Sequence, residues 1–132
     1  MEKQKGFTLI EIIMVVAIIG IIASIITPQV IEITRKMELQ TDIRSAQSIQ
    51  QMIYMHEATS GKKIVGNPIE VLVQNLYLSK ENIDIKSYTY KLQLEGSTLH
   101  FVGNKVKISL APDMKIYAND LNERDKFWIS NE

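Results

Sequence analysis

The sequence predicts an α+β fold: a long N-terminal helix, membrane-suited in its first half and amphipathic in its second, packed against a small antiparallel β-meander. Three observations predict it. An apolar run fills Phe7 to Thr27, apolar residues recur at spacings of three and four from Val30 to Ile53, and apolar and polar residues alternate between Tyr88 and Leu110. With 132 residues there is room for one domain and an appendage. Lys and Arg total 15 and Asp and Glu total 15, which argues against a chain whose main task is gripping nucleic-acid phosphates. The absence of cysteine excludes a disulfide staple, a thiolate nucleophile and cysteine-ligated metal sites.

The run FTLIEIIMVVAIIGIIASIIT carries one ionisable side chain, Glu11. At about 1.5 Å per helical residue it spans roughly 32 Å, enough for a hydrocarbon layer of about 30 Å. It is apolar on every side, unlike a helix with one solvated face. It is longer than the apolar region of a cleaved signal peptide, and Pro28-Gln29-Val30-Ile31 stands where small cleavage-site residues belong. The run is therefore expected to remain as a membrane anchor. Lys3 and Lys5 precede it, while Glu32, Arg35, Lys36 and Glu38 nearly cancel beyond it, so the N-terminus is expected in the cytoplasm and everything after Pro28 outside.

Glu11 is the residue out of place. A carboxylate at membrane depth is costly, and no Lys, Arg or His lies between Phe7 and Ile33 to pair with it. Lys5-Gly6-Phe7-Thr8-Leu9-Ile10-Glu11, a charged leader running into a long apolar stretch, resembles the signature of type IV pilins and of the pseudopilins of type II secretion and DNA uptake. The resemblance covers roughly the first third of the chain. It implies a leader over residues 1–6, an assembly helix over 7–28 and an exported head over 29–132. A prepilin peptidase is expected to cut between Gly6 and Phe7 and to N-methylate Phe7. Glycine lets the backbone enter a protease cleft closely. The new Phe7 amine supplies the charge that Glu11 lacks, and the family picture pairs Glu11 of one subunit with the Phe7 amine of another. Gly20 and Pro28 fall where the family has a Gly and a Pro. Pro28 removes a helix hydrogen bond and crowds the Ser24 carbonyl, so a kink or local melt is expected there.

Beyond Pro28, Val30, Ile33 and Met37, then Ile43, Ala46, Ile49 and Ile53, form a buried stripe with a phase slip, ending near Thr59 before Ser60-Gly61. Asn67, Pro68 and Glu70 mark the start of a second helix reaching Leu78-Ser79. Three strands follow: Tyr88–Glu95, one through Leu99 and Phe101, and one through Val106, Ile108 and Leu110, with turns at Gly96-Ser97 and Gly103-Asn104. Met114–Ala118 offers a short fourth strand.

Chemistry is sparse. His56 and His100 have no ligand partners at metal spacing, and no nucleophile elbow, phosphate loop or dinucleotide fingerprint occurs, so neither an enzyme nor a cofactor is expected. Asp120, Asn122 and Asp125 offer oxygens for calcium, but Arg124 lies among them and the EF-hand glycine is missing; a solvated loop is the default. Phe127 and Trp128 are expected to anchor the tail. Lys62, Lys63, Lys105 and Lys107, with Tyr88 and Tyr90 for stacking, form the one candidate DNA surface.

The expected function is a structural subunit of a helical filament of like chains. Its expected partners are the prepilin peptidase, an assembly platform, minor pilins and the membrane, and its location is the cytoplasmic membrane and then the filament. The alternatives are a competence-type pseudopilin for DNA uptake and, in another class, a single-pass anchored sensor whose head binds a ligand.

Overall fold

The computed structural model describes residues 8–130. In chain order these form α1 (Leu9–Ser60), α2 (Pro68–Gln74), a 3₁₀ turn (Lys80–Asn82), β1 (Ile83–Asp84), β2 (Thr89–Tyr90), β3 (Thr98–Val102), β4 (Lys105–Ser109), a 3₁₀ segment (Pro112–Ala118) and α3 (Glu123–Lys126). The chain divides into two units, one ending at Thr34 and the other beginning at Arg35. The α+β expectation holds, with a long N-terminal helix and a small head of two antiparallel pairs of strands.

In the first unit the side chains of α1 are exposed all round, from Leu9 to Ile33. In the second unit the same helix buries a stripe of Leu39, Asp42, Ile43, Ala46, Ile49, Gln50 and Ile53. These positions follow one helical face without a slip. Val30, Ile33 and Met37, expected in the stripe, are exposed instead. The helix ends at Ser60, and Gly61 takes φ 72°, a left-handed turn that suits glycine.

Asn67 caps α2, its Oδ1 accepting from the Ile69 amide at 3.0 Å, with Pro68 in the first turn. The helix stops at Gln74, earlier than expected. The Tyr77 amide donates to the Leu72 carbonyl at 3.0 Å and the Leu76 amide to the Val73 carbonyl at 3.2 Å, the Schellman closure of a helix C-terminus. Leu76 supplies its left-handed residue at φ 64°.

The expected three-stranded meander is replaced by two separate ribbons, β1 with β2 and β3 with β4, linked by an isolated bridge between Lys91 and Thr98. The long first strand fails for a physical reason. The amides of Gln93 and Leu94 donate to the Asp42 carboxylate at 2.6 and 2.9 Å, so the backbone there bonds a helix side chain rather than a neighbouring strand. The turn after it is tight, since a Cβ on Gly96 (φ 75°) would lie 2.7 Å from that of Ala111. β3 and β4 form as expected, with Phe101 opposite Val106 and Leu99 opposite Ile108. The expected fourth strand is a 3₁₀ segment, opened by Pro112, which has no amide for a ladder.

The head core joins the α1 stripe to Ile69, Leu72 and Val73 of α2, and to Ile83, Leu94, Val106, Ile108, Leu110 and Met114. The tail closes on it by pairing. The Ile108 amide donates to the Trp128 carbonyl and the Ser130 amide to the Ile108 carbonyl, both at 2.8 Å, so the tail runs as a short parallel addition to β4.

Candidate functional site: the apolar helix

The site is the N-terminal part of α1. Ile, Val, Leu and Met here form a helix with no face to bury against their own chain, and Leu9 is 76% and Ile25 62% exposed. Two of its hydroxyls are satisfied within the helix. Ser24 Oγ donates to the Ile21 carbonyl at 2.7 Å, and Thr27 Oγ1 to the Ala23 carbonyl at 2.6 Å. Such back-bonding hides hydroxyls that would otherwise be unsatisfied in hydrocarbon. The helix is long and apolar enough to cross a membrane.

Glu11 lies in the first turn, its amide donating to the Thr8 carbonyl at 3.0 Å. A negative side chain there sits favourably against the positive end of the helix dipole. Gly6 and Phe7, the predicted cleavage and methylation residues, lie outside the described residues. Gly20 and Pro28 both lie within α1, whose assigned span continues through them.

In the head, two of the three calcium candidates, Asp120 and Asn122, have other engagements. Asp120 pairs with Lys36 at 2.9 Å, while Asn122 Oδ1 caps α3 by accepting from the Asp125 amide at 2.8 Å. No grouping of three or more His, Cys, Asp or Glu placed to hold a metal occurs among the described residues. His56 packs edge-on against Tyr77, ring centroids 5.7 Å apart. Trp128 is half-buried against the core, while Phe127 stays exposed. Lys107 lies 3.6 Å over the Phe127 ring and also donates to the Phe127 carbonyl. Burial, and then the Lys105 charge beside it, hold the Lys107 ammonium below the usual lysine pKa. Tyr88 and Tyr90 line a hollow whose walls include none of Lys62, Lys63, Lys105 and Lys107, so that cavity does not join the tyrosines to the expected basic patch.

Sequence reasoning missed two polar residues that organise the head. Asp42 is 1% exposed and binds the Gln93 and Leu94 amides. Burial raises its pKa above the aspartate value of 3.8; the two amide donors act to lower it and the Glu38 charge to raise it. Gln50 donates to the Asn104 carbonyl and accepts from the Val106 amide, both at 2.7 Å. The signal was available, because both fall in phase with Leu39, Ile43, Ala46 and Ile53.

Residues 1–27 match the family model described as the prokaryotic N-terminal methylation motif. Over 50 residues, 38% of this chain, the sequence is 42% identical to a fimbrial protein of Pseudomonas aeruginosa. Over 56 residues, 42% of the chain, it is 32% identical to the type II secretion system core protein G of Escherichia coli K12. The corresponding Vibrio cholerae protein is 33% identical over 57 residues. Over its N-terminal part the chain is similar to type IV pilins and to the pseudopilins of type II secretion. It spans 32% to 39% of the length of these curated relatives. No solved structure matches it significantly. This similarity agrees with the expectation of a structural protein rather than an enzyme, because these relatives bear the names of fimbrial and secretion-system components. The matched stretch includes the exposed apolar part of α1, the segment long and apolar enough to cross a membrane.

Proposed function

We propose that this pilin-family chain is a filament subunit, stored in the cytoplasmic membrane with its N-terminus inside and polymerised through the apolar helix. The prepilin peptidase cuts between Gly6 and Phe7 and methylates Phe7, an assembly platform and minor pilins receive the product, and the head over residues 29–132 faces outward. The observation that carries this reading is Glu11, a carboxylate in the first turn of a helix whose apolar run holds no cation. In a low-dielectric setting an unpaired carboxylate is costly, and a charge pair selects register. Cleavage creates the missing positive charge at the Phe7 amine. Position 7 precedes Glu11 by four residues in the sequence, so a pair within one chain competes with a pair between two; the filament reading takes the second. In that state Gly20 and Pro28 are the sites where the helix unwinds, Pro28 having no N–H for the Ser24 carbonyl.

Sequencing the N-terminus of membrane-extracted protein tests the processing step, with methylated Phe7 as the expected first residue. Glu11→Gln tests docking: processed subunits accumulate in the membrane while filaments fall to background. An intact Met1, or normal filaments from the Gln variant, overturns the proposal.

A further inference from the structure

A second feature of the head stands apart from assembly. Between the start of α2 and the β2–β3 strands lies a hollow of about 340 Å³, lined by Asn67, Tyr88, Tyr90, His100, Phe101 and short neighbouring stretches. Its size falls at the lower end for small-ligand sites. Tyr88, Tyr90, His100 and Phe101 contribute to its wall with Asn67 and Thr89, and no Lys, Arg, Asp or Glu does.

The wall includes a strained residue. Tyr88 ends the four-residue loop 85–88 between β1 and β2 and takes φ 50°, a conformation that suits Gly or Asn and is disfavoured for a bulky side chain. Asn67 Nδ2 donates to the Tyr88 carbonyl at 3.2 Å, while its Oδ1 caps α2, tying loop and helix together beside the hollow. Glycine at this position would relieve the backbone, yet a tyrosine stands there in the cavity wall. Strain kept at a cavity wall points to a use for the side chain.

We propose that this hollow binds a neutral saccharide unit of a glycan chain. A pyranose has apolar C–H faces that stack on aromatic rings and hydroxyls that meet amide, imidazole and phenol groups. A nucleic acid strand would also stack, but its phosphates need cations, and none lines the cavity. The proposal does not rest on filament assembly.

The test uses the full chain in lipid nanodiscs, which avoids sugar-headed detergents. Oligomers of glucose, N-acetylglucosamine and galactose are titrated in turn, with saturation-transfer NMR and calorimetry as readouts. At least one is expected to bind, with about a tenfold loss or more in Tyr90→Ala and in His100→Ala. Tyr88→Gly removes the side chain while relieving the left-handed backbone, and weakened binding of the same oligomer by a variant that still unfolds cooperatively separates binding from folding. No binding by any of the three sugars overturns the proposal, as does binding that all three variants retain. Binding of a deoxythymidine oligonucleotide that depends on Tyr88 and Tyr90, with no sugar bound, replaces it with a nucleic-acid site.

Discussion

Replacing Asp42 should cost more stability than any other single polar change in the head. Its carboxylate, 1% exposed, accepts the amides of Gln93 at 2.6 Å and Leu94 at 2.9 Å. A hydrogen bond to a charged acceptor contributes roughly 1.5–3 kcal/mol, so losing two costs about 3–6 kcal/mol. Relief from burying a charge returns part of this, leaving a net loss of about 2–4 kcal/mol for Asp42→Ala. Asp42→Asn keeps one acceptor but turns an NH₂ toward an amide N–H, for a loss of roughly 1–3 kcal/mol. Urea unfolding of the full chain in detergent, followed through the single tryptophan, Trp128, measures both. Hydrogen exchange at Gln93 and Leu94 should accelerate with them. The pH dependence has a definite sign. Burial raises the folded-state pKa above 3.8, so the folded chain holds this proton more tightly than the unfolded one. The contribution of Asp42 is fully present below the unfolded value and is lost as pH rises through the raised folded value. The stability difference between wild type and Asp42→Asn should therefore shrink as pH rises across that window. An Asp42→Ala variant within about 0.5 kcal/mol of wild type would refute the assignment of the carboxylate as the organiser of residues 93–94.

Other changes test neighbouring contacts. Gln50→Ala removes the acceptor of the Val106 amide and a donor to the Asn104 carbonyl. It should cost about 1–3 kcal/mol and expose the β3–β4 ribbon to faster exchange. Leu76→Gly should stabilise the head by about 0.5–1 kcal/mol, read as a higher urea midpoint, because Leu76 is left-handed at φ 64° and 91% exposed. Trp128→Ala should cost roughly 2 kcal/mol, less than a fully buried tryptophan, and free the tail for limited proteolysis near Ile129.

Some elements were legible from local chemistry. The Asn67-Pro68 start of α2, the β3–β4 ribbon and its Gly103-Asn104 turn followed from capping, alternation and turn residues that act over a few positions. The strand at Tyr88–Glu95 was misread because its alternation was genuine but its amides were claimed by Asp42, 51 and 52 positions away. The early stop of α2 was hidden because its Schellman closure uses Leu76 rather than glycine. Tail anchoring was half legible: aromatic residues flagged it, but backbone pairing with Ile108 and the inward turn of Trp128 hold it, while Phe127 remains outside under Lys107.

The sequence by itself determined the apolar helix, its lone Glu11 and the methylation motif, because an apolar run and a short motif are written in contiguous residues that need no folded context. Tertiary structure alone decided which polar groups became structural and which aromatic residues came together at the wall of a hollow. Those outcomes depend on where distant backbone amides and side chains come to rest, and a buried carboxylate that finds two of them can redirect a segment that alternation alone would make a strand.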